Sequence, residues 1–281
     1  MIDSNTATAA TAINITHQEF VLFQRLIYKI AGISLSDAKK VLLVGRLTKR
    51  LKQYDFSTFS EYYRMLASGD CPEEVQTMVD LLTTNETYFF REPTHFEFLR
   101  NEIIAKRNSG NSPAAFRVWS AASSSGEEAY SIAMTLAETL PSTPWEIVGS
   151  DISTKVLAKA TAGHYSLART EGIPNGHMRK YCLKGVRSHA GTFLIVPELR
   201  KRTRFYQINL MHPVDADIGD FDVIFLRNVM IYFDPETKTR VVHNLLPRLK
   251  KGGYLIIGHS ETLNGITDRV IGVRPTIYRK P

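Results

Sequence analysis

The sequence predicts an α/β protein in which a Rossmann-like sheet domain follows a small all-helical domain. Three observations support this fold class. Up to about residue 115 there is no strand pattern, and apolar side chains recur at helical spacing. From Phe116 onward, short apolar runs alternate with helical patterns. Strands that alternate with helices form a parallel sheet covered on both faces, and right-handed crossovers make that sheet doubly wound.

The helical domain is predicted at residues 14–82, after a small, polar stretch at 1–13 that is typical of a disordered tail. The first helix ends at Gly32, because glycine commonly terminates helices. Its apolar stripe consists of Phe20, Phe23, Ile27 and Ile30. Three further helices are predicted at about 36–54, 57–67 and 72–82.

The sheet domain is predicted at residues 106–281, and a linker with a helix at 83–105 precedes it. Its strand-like runs lie at 116–122, 145–152, 221–233 and 254–261. The alternation is interrupted between about 167 and 208, where Thr192–Val196 and Arg204–Ile208 have strand patterns joined by a basic stretch. We interpret this segment as a small antiparallel β-subdomain inserted into the sheet domain.

Composition narrows the class of protein. The chain has 281 residues, none of its apolar runs approaches the about 18 needed for a membrane span, and its first residues lack the features of a secretory signal. A cytoplasmic protein without membrane insertion is therefore expected. Cys71 and Cys182 lack metal-ligand spacing, so we expect free thiols and no metal site. The net charge of +7 suggests an acidic partner, but its sign does not choose among nucleic acid, membrane and protein.

The ends of the first two predicted strands indicate a nucleoside site. Ligands of open α/β sheets bind at the carboxyl ends of the strands. The first strand ends in small residues at 121–126, with Glu127 and Glu128 in the first turn of the next helix. The second ends at Asp151, which could accept hydrogen bonds from two ribose hydroxyls or simply cap the following helix. Together the small-residue loop and the acid favour nucleoside binding.

Two common nucleotide-binding fingerprints are absent from the sequence. Only Gly126 of a G-x-G-x-x-G pattern is present, and no G-x-x-x-x-G-K-[ST] phosphate loop occurs. These absences argue against a dinucleotide dehydrogenase and a nucleotide triphosphatase.

Further polar candidates follow later strands and occupy the linker. Arg227, Asn228 and Tyr232 follow the strand that begins at Phe221, and Asn209–Leu210 ends the strand after the insertion. The linker carries Asn85, Thr87 and Arg91 among aromatic residues. Ordinary loop hydrogen bonding and a hydrophobic linker packed between domains remain the alternatives for these two groups.

A basic stretch lies in the second predicted helix. Between Ala38 and Gln53 there are six basic residues and no acid, and Lys39, Arg46, Lys49 and Arg50 are among them. A solvated face is the usual explanation for such a run. The absence of acids over four turns suggests instead a docking face for an acidic surface.

The motifs together resemble the CheR-type chemotaxis receptor methyltransferases. The resemblance is carried by five segments in the family's order. They are TTNETYFFRE, RVWSAASSSGEEAYSIA, GSDIS, FDVIFLRNVMIYF and LIIGHSE, between about residues 80 and 262. It implies an S-adenosylmethionine-dependent protein-glutamate O-methyltransferase with a Rossmann-like domain, a β-subdomain and a helical N-terminal domain.

The resemblance also implies roles for individual residues. Tyr232 would lie near the transferred methyl group. On chemical grounds Arg91 and Tyr232 are the catalytic candidates for orienting the substrate carboxylate, and a cofactor or positioning role is the equal alternative for Arg91. Contacts to S-adenosylmethionine, and to its product S-adenosylhomocysteine, would come from Asn85, Thr87, Arg91, Glu128, Asp151, Asn209, Leu210, Arg227 and Asn228. The implied partners are the cytoplasmic helical domains of chemoreceptors and, in some members, a receptor C-terminal peptide bound by the β-subdomain. We expect a monomer that binds no nucleic acid.

Two other functions compete with this interpretation. The positive charge suggests a nucleic-acid methyltransferase, but those acting on base amino groups usually carry [DN]-P-P-[YF] where this chain has Arg227–Met230. A non-catalytic module that senses S-adenosylmethionine is the second alternative. A glutamate carboxylate has a pKa of about 4.3 and is already ionised at neutral pH, so esterification requires no general base. The absence of a recognisable His–acid dyad is consistent with that chemistry.

Overall fold

A computed structural model describes residues 13–109 and 114–281. The predicted disordered tail at 1–13 therefore lies, except for its last residue, outside the described residues. The described residues divide into two compact units, one of residues 13–29 and 34–82 and one of residues 30–33, 83–109 and 114–281.

The first unit is helical. Its helices are α1 (His17–Ala31, whose last turn belongs to the second unit), α2 (Lys40–Gln53), α3 (Phe59–Ser68) and α4 (Pro72–Leu82). Helix α3 has a clear start and end, because Thr58 and Glu61 form a capping box and Gly69 adopts the left-handed conformation. The fully buried core of this unit includes Phe20, Phe23, Leu43, Leu47 and Tyr62.

The basic stretch is not the uniform docking face that the sequence suggests. Lys39 lies in a separate 3₁₀ turn, Asp37–Lys39, before α2 begins. Arg50 forms an ion pair with Glu74 of α4, whose carboxylate also accepts hydrogen bonds from Tyr54 and Tyr62. The acid missing from the basic stretch is therefore supplied by another helix, which sequence spacing along one helix cannot show.

Arg46 and Lys49, the two remaining predicted docking residues of α2, differ in their contacts. Arg46 donates to the carbonyl of Leu82 at 3.1 Å, whereas Lys49 is exposed. Lys39 is exposed as well. The prediction of a docking face thus stays open for Lys39 and Lys49, and Arg46 and Arg50 have contacts inside the helical unit.

The second unit is an α/β domain. Its helical segments are α5 (Thr94–Phe98), a π-helical continuation (Leu99–Ile104), α6 (Ala105–Ser109), α7 (Glu127–Thr139), α8 (Thr154–Ala162), α9 (Asn175–Tyr181), α10 (Pro197–Lys201) and α11 (Pro235–Leu245). Its strands are β1 (Phe116–Ser120), β2 (Trp145–Asp151), β3 (His164–Ser166), β4 (Cys182–Lys184), β5 (Thr192–Ile195), β6 (Thr203–Gln207), β7 (Phe221–Leu226), β8 (Leu249–Ile257), β9 (Ile271–Arg274) and β10 (Ile277–Arg279).

The main sheet has seven strands in the order β6-β2-β1-β7-β8-β10-β9. The first five are parallel, whereas β10 pairs antiparallel with both β8 and β9. Successive strands run outward from β1 in one direction to β2 and β6 and then in the other to β7 and β8. The strand order therefore reverses between β1 and β7, where open α/β sheets bind their ligands.

The central strands of the sheet are buried on both faces. Alternate residues of β7 divide between two hydrophobic clusters, so that Val223 and Phe225 pack on one face while Ile224 and Leu226 pack on the other. This explains why the strands read as continuous apolar runs. Among the described residues, no helix combines the length and the apolar character needed to span a membrane.

The predicted insertion needs a correction. Residues Thr203–Gln207 do not pair with the strand at Thr192–Ile195 but join the main sheet as β6, parallel to β2. The antiparallel subdomain consists of β3, β5 and β4 and ends with β5. The boundary was placed too late, because two short strands separated by a basic stretch look like a hairpin, although α10 lies between them. The C-terminal hairpin of β9 and β10 was not predicted.

Candidate functional site

The loop after β1 approaches the neighbouring strand closely. The Ser123 amide donates to the carbonyl of Ser150 at 2.8 Å, and Ser124 adopts a positive φ of 49°. Gly126 has a φ of 95°, and a Cβ there would come within 2.9 Å of the Ala160 side chain and of the Tyr165 hydroxyl. The small residues that the sequence analysis singled out are thus required by the tight turn into α7.

Asp151 organises this loop from the end of β2. Its Oδ2 accepts a hydrogen bond from the Ser124 amide and its Oδ1 accepts one from the Ser153 amide, both at 3.0 Å. The side chain therefore both caps the entry to α8 and fixes the β1 loop. A carboxylate can accept about four hydrogen bonds, so these two contacts are compatible with acceptance from a ligand hydroxyl. The two interpretations of Asp151 are compatible.

Glu127, at the start of α7, is a buried acid held by a residue that sequence analysis missed. It is fully buried, and burial raises its pKa, although Ser125 and Arg169 oppose that shift. Arg169 pairs with Glu127 at 2.8 Å and also donates to the carbonyl of Thr87. Arg169 lies in the inserted segment, so one guanidinium connects the insertion, α7 and the linker.

The linker is fixed over the strand ends through its backbone. The carbonyls of Asn85, Thr87 and Arg91 accept hydrogen bonds from Ser124, Arg169 and Arg227 respectively. In addition, the amide of Phe90 donates to the Ser131 hydroxyl. The hypothesis of a merely hydrophobic linker is therefore incomplete, since polar residues of four separate segments hold it in place.

Arg227 lies at the centre of a largely buried ionic network. Its side chain is 1% exposed and pairs with Glu128 at 2.8 Å and with Glu92 at 2.9 Å. Glu128 in turn accepts from the Ser120 hydroxyl at 2.7 Å. Arg227 thus connects the end of β7 to the linker and to α7. Because the Arg227 side chain is buried, it would act on a ligand indirectly, through its ion pair with Glu128.

Asn228, the next residue, is held from two sides. Its side-chain amide donates to Glu92 at 3.1 Å, and its main-chain amide donates to Glu261 at 3.0 Å. Asn228 has a positive φ of 56°, which is tolerated by asparagine better than by most residues. Glu261 also accepts from the amides of Gly258 and Met230. Burial raises the pKa of Glu261, and these amides oppose the rise.

The structure uses Asn209 and Leu210 mainly to build the scaffold. The Asn209 side chain donates to the carbonyl of Ile30 at 2.6 Å and accepts from the amide of Met211 at 3.0 Å. Leu210 is 8% exposed, and its carbonyl accepts from Asn244. A ligand contact by either residue remains a prediction.

The two predicted catalytic residues lie in different loops of the same unit. Arg91 is partly exposed, donates to the carbonyl of Glu86 at 3.0 Å and lies over the ring of Tyr88. Tyr232 is partly exposed and ends the 3₁₀ turn Met230–Tyr232 that follows β7. Unlike Arg227, Arg91 is therefore accessible to a substrate.

Two acids and an arginine were missed as functional residues. Glu92 and Glu261 each accept hydrogen bonds from residues that sequence analysis had singled out, and Arg169 binds the linker and Glu127. Glu92 and Glu261 belong to the motifs TTNETYFFRE and LIIGHSE, so their positions beside other candidates were a usable signal. Arg169 had no such signal, since it lies in the insertion.

The protonation of His95 gives this site a testable pH dependence. His95 is 1% exposed; burial, together with nearby Arg227 and His259, lowers its pKa to about 3, although Glu92 opposes the shift. The unfolded chain takes up the proton near pH 6.5, so stability from neutral His95 is complete above that pH and is lost as pH falls toward 3. Between pH 7 and 5 the loss should be about 2 kcal/mol.

Urea unfolding at pH 7 and pH 5 checks this expectation. Trp119 and Trp145 are the two tryptophans of the chain and both lie in the α/β unit, so their fluorescence follows that unit. His95→Gln should flatten the pH dependence, whereas His243→Gln, at an exposed position, should leave it unchanged. Equal pH dependence in the wild type and His95→Gln would contradict the expectation.

The arrangement suits a nucleoside that carries a positive group. Asp151 can accept from hydroxyls, the loop at Ser123–Gly126 allows close approach, and Glu128 is an acid at the edge of the reversal in strand order. These contacts suit the binding and orientation of a ligand.

Comparison with known proteins supplies the chemical context. Residues 85–278 match the family described as "CheR methyltransferase, SAM binding domain". Residues 18–83 match the family described as "CheR methyltransferase, all-alpha domain". The two matches lie on the two units of the structure.

Individual relatives cover most of the chain. It is 40% identical over 261 residues to the "Chemotaxis protein methyltransferase" of Escherichia coli (strain K12), covering 92% of this chain and 89% of that protein. It is 40% identical over 265 residues to the "Chemotaxis protein methyltransferase 2" of Pseudomonas aeruginosa, covering 94% and 93%. It is 38% identical over 277 residues to the "Chemotaxis protein methyltransferase" of Borreliella burgdorferi, covering 95% and 96%.

Proposed function

This chain belongs to the CheR methyltransferase family, and we propose that the cleft where the strand order reverses is the place at which it transfers a methyl group from S-adenosylmethionine to glutamate side chains of chemotaxis receptors. The protein is an S-adenosylmethionine-dependent methyltransferase. The observation that best supports the location is the convergence of the linker, the β1 loop, Asp151 and Arg227 at one edge of the sheet.

The residues present fit S-adenosylmethionine. Asp151 would accept from the ribose hydroxyls, and the loop at Ser123–Gly126 allows the nucleoside to approach the backbone. Glu128 would hold the amino group, with Arg227 fixing its orientation. When bound, the cofactor supplies a methyl group made electrophilic by the sulfonium. Asn85, Thr87, Asn209, Leu210 and Asn228 would complete the pocket.

The acceptor carboxylate would be oriented by Arg91 and Tyr232. A glutamate at neutral pH is already the nucleophile, so the enzyme's contribution is alignment, which can be worth about 7–11 kcal/mol when complete. The contact of Arg91 with the Glu86 carbonyl and its position over Tyr88 restrict its guanidinium while leaving it accessible. A pre-oriented cation can position a carboxylate without a fully buried ion pair, which would reduce its nucleophilicity.

Transfer of radiolabelled methyl from S-adenosylmethionine to receptor cytoplasmic fragments tests the function. The label should be released by mild base, because carboxyl esters are base-labile, and it should disappear when the acceptor glutamates are replaced by alanine. Base-stable label, or transfer to RNA or DNA in place of receptor, would overturn the proposal. Binding of S-adenosylmethionine without any transfer would favour the sensing module instead.

We further propose that Lys39 and Lys49 attract the acidic receptor helices. Both are exposed. Charged residues at the rim of an interface mainly increase the rate of association with an oppositely charged partner. The double variant Lys39→Glu, Lys49→Glu should raise KM for the receptor several-fold at low salt and leave KM for S-adenosylmethionine unchanged.

The matched control for this surface is Lys155→Glu, Lys159→Glu, which reverses two exposed charges on α8. If both double variants raise KM for the receptor equally, the effect is one of net charge and the docking proposal fails. The difference between the variants should shrink in high salt, since exposed charges are screened beyond about 10 Å at 0.1 M.

The β-subdomain is proposed to bind a receptor C-terminal peptide as an added strand. Strand β4 pairs with β5 and ends the three-stranded sheet, and it carries the half-exposed apolar side chain Leu183, with exposed Val186 just beyond it. Addition of an extended peptide to a sheet edge uses backbone hydrogen bonds for affinity and side-chain contacts for selection. The tail of a receptor could thus tether the enzyme near its substrate glutamates.

Methylation of receptor fragments with and without the tail checks this proposal. Removal of the tail should lower the rate at limiting receptor concentration, and Leu183→Asp should lower the rate on the tailed fragment to that on the tailless one. Ile271→Asp, at an exposed apolar position on β9, serves as the control and should change neither rate. Equal rates on both fragments for the wild type would exclude a tail-dependent mechanism.

We also propose that the enzyme is monomeric and lies in the cytoplasm, where the substrate part of a receptor lies. Fractionation of cells tests the location and light scattering of the purified chain tests the assembly. A dimer or a protein of the membrane fraction would contradict the proposal.

A further inference from the structure

Glu92 binds three residues in two separate loops of the cleft with one carboxylate. Its Oε2 accepts from Arg227 at 2.9 Å and from the His259 amide at 3.2 Å, and its Oε1 accepts from the Asn228 side chain at 3.1 Å. Its own backbone has a positive φ of 57°, which is uncommon for glutamate. The linker therefore holds a strained conformation that aims one acid at the loops after β7 and β8.

The ionisation of Glu92 follows from these contacts. Burial by itself would raise its pKa, but Arg227 and the hydrogen bonds of Asn228 and His259 hold that pKa at about 2. The carboxylate is therefore a permanent anion at any pH at which the enzyme works. It has no part in proton transfer, and its effect is electrostatic and geometric.

The same carboxylate lies beside two imidazoles, which raises the question of a metal ion. Ligand atoms of Glu92, His95 and His259 lie within 4.8 Å of one another. However, Oε2 already accepts from a guanidinium and a main-chain amide, so a metal cation there would face the Arg227 charge at once. The geometry favours the ionic network, and Arg227 takes the place that a cation would occupy.

Glu92 affects the charge of Glu128 because both acids pair with Arg227. Arg227 pairs with Glu92 on one side and with Glu128 on the other. As long as Glu92 neutralises Arg227, the negative charge of Glu128 remains largely available to a cationic group of a ligand. Without the Glu92 charge, Glu128 alone would neutralise Arg227. The negative charge of Glu128 would then be less available to a cationic group of a ligand.

We propose that Glu92 is a positioning residue for the methyl donor, which fixes the loop carrying Arg227 and Asn228 and keeps the charge of Glu128 available for the amino group of the donor. This inference rests on the proposed function, because it presumes that S-adenosylmethionine binds in this cleft. Glu92 itself contacts neither the donor nor the acceptor. Its influence reaches the ligand through Arg227 and Glu128.

Calorimetric binding of two ligands to the full chain separates this role from a general structural one. S-adenosylhomocysteine carries the amino acid part of the donor, and methylthioadenosine lacks it. In Glu92→Gln, the Kd for S-adenosylhomocysteine should rise by about tenfold to 100-fold, the range expected for weakening one charge-assisted contact. The Kd for methylthioadenosine should change by less than about threefold, since Asp151 and the β1 loop keep their own contacts.

A matched control is available at the opposite end of the sheet. Glu146 pairs with Arg117 at the start of β2 and β1, so Glu146→Gln also removes an acid from an arginine pair of the same sheet. It should leave both Kd values unchanged. If Glu92→Gln does not fold, Glu92→Asp keeps the charge on a shorter side chain and should give a smaller, equally selective loss.

The results of these binding measurements test the role of Glu92 separately from the proposed function. A selective loss for S-adenosylhomocysteine supports the positioning role. Unchanged affinity, or an equal loss for both ligands, overturns it while leaving the cofactor site intact. Failure of the wild type to bind S-adenosylhomocysteine would instead overturn the proposed function.

Discussion

Replacing Arg227 by leucine is expected to lower the free energy of unfolding of the α/β unit by about 3–5 kcal/mol, because it leaves two largely buried acids without their cation. The Arg227 side chain is 1% exposed, and Glu92 and Glu128 are 13% and 12% exposed. The variant also removes the hydrogen bond to the Arg91 carbonyl, so the linker loses one of its attachments. Both effects act in the same direction.

Urea unfolding followed by tryptophan fluorescence measures the change. Arg240→Leu is the matched control: it removes an arginine that pairs with Glu236 at 2.9 Å on the surface, and it should cost less than about 1 kcal/mol. An Arg227 variant no less stable than the Arg240 variant would show that the network is not what holds these loops together. Binding of S-adenosylhomocysteine should be lost in the Arg227 variant even under conditions where it is folded.

The parts of the site that could be predicted are those determined by position along a strand. Asp151, Arg227 and Asn228 each follow a buried run, and parallel strands bring their carboxyl ends to one edge. The small residues before Gly126 were identifiable for the same reason. Local sequence was sufficient because each residue needed only its own strand to be placed.

The contacts that hold these residues could not be predicted in the same way. Arg227 pairs with Glu92, which lies 135 residues away in the sequence, and Asn228 donates to Glu261, which lies 33 residues away. Arg50 similarly finds Glu74 on another helix. Pairing of charges depends on the packing of elements, and neither hydrophobic periodicity nor charge spacing within one segment specifies it.

The change of Asp151 to asparagine is expected to raise the Kd for S-adenosylmethionine by about 100-fold or more. Two charge-assisted hydrogen bonds to ribose hydroxyls are worth about 1.5–3 kcal/mol each, and the amide accepts through one atom only. Its NH₂ group would moreover face the amide of Ser124 or Ser153, each of which now donates to the carboxylate at 3.0 Å. One donor would be left opposite another, so the β1 loop should loosen as well.

The test must separate lost ligand contacts from a lost helix cap, because Asp151 serves both. Asp234 accepts from the Thr237 amide at 2.8 Å at the start of α11, so Asp234→Ala removes a capping aspartate at another helix of the same unit. That control should cost about 1 kcal/mol of stability and leave the Kd unchanged. If Asp151→Asn bound S-adenosylmethionine within threefold of the wild type, Asp151 would be a cap alone, and the ribose would have to be held elsewhere in the cleft. A large rise in Kd with a stability loss no greater than that of Asp234→Ala would show that the acid binds the nucleoside directly.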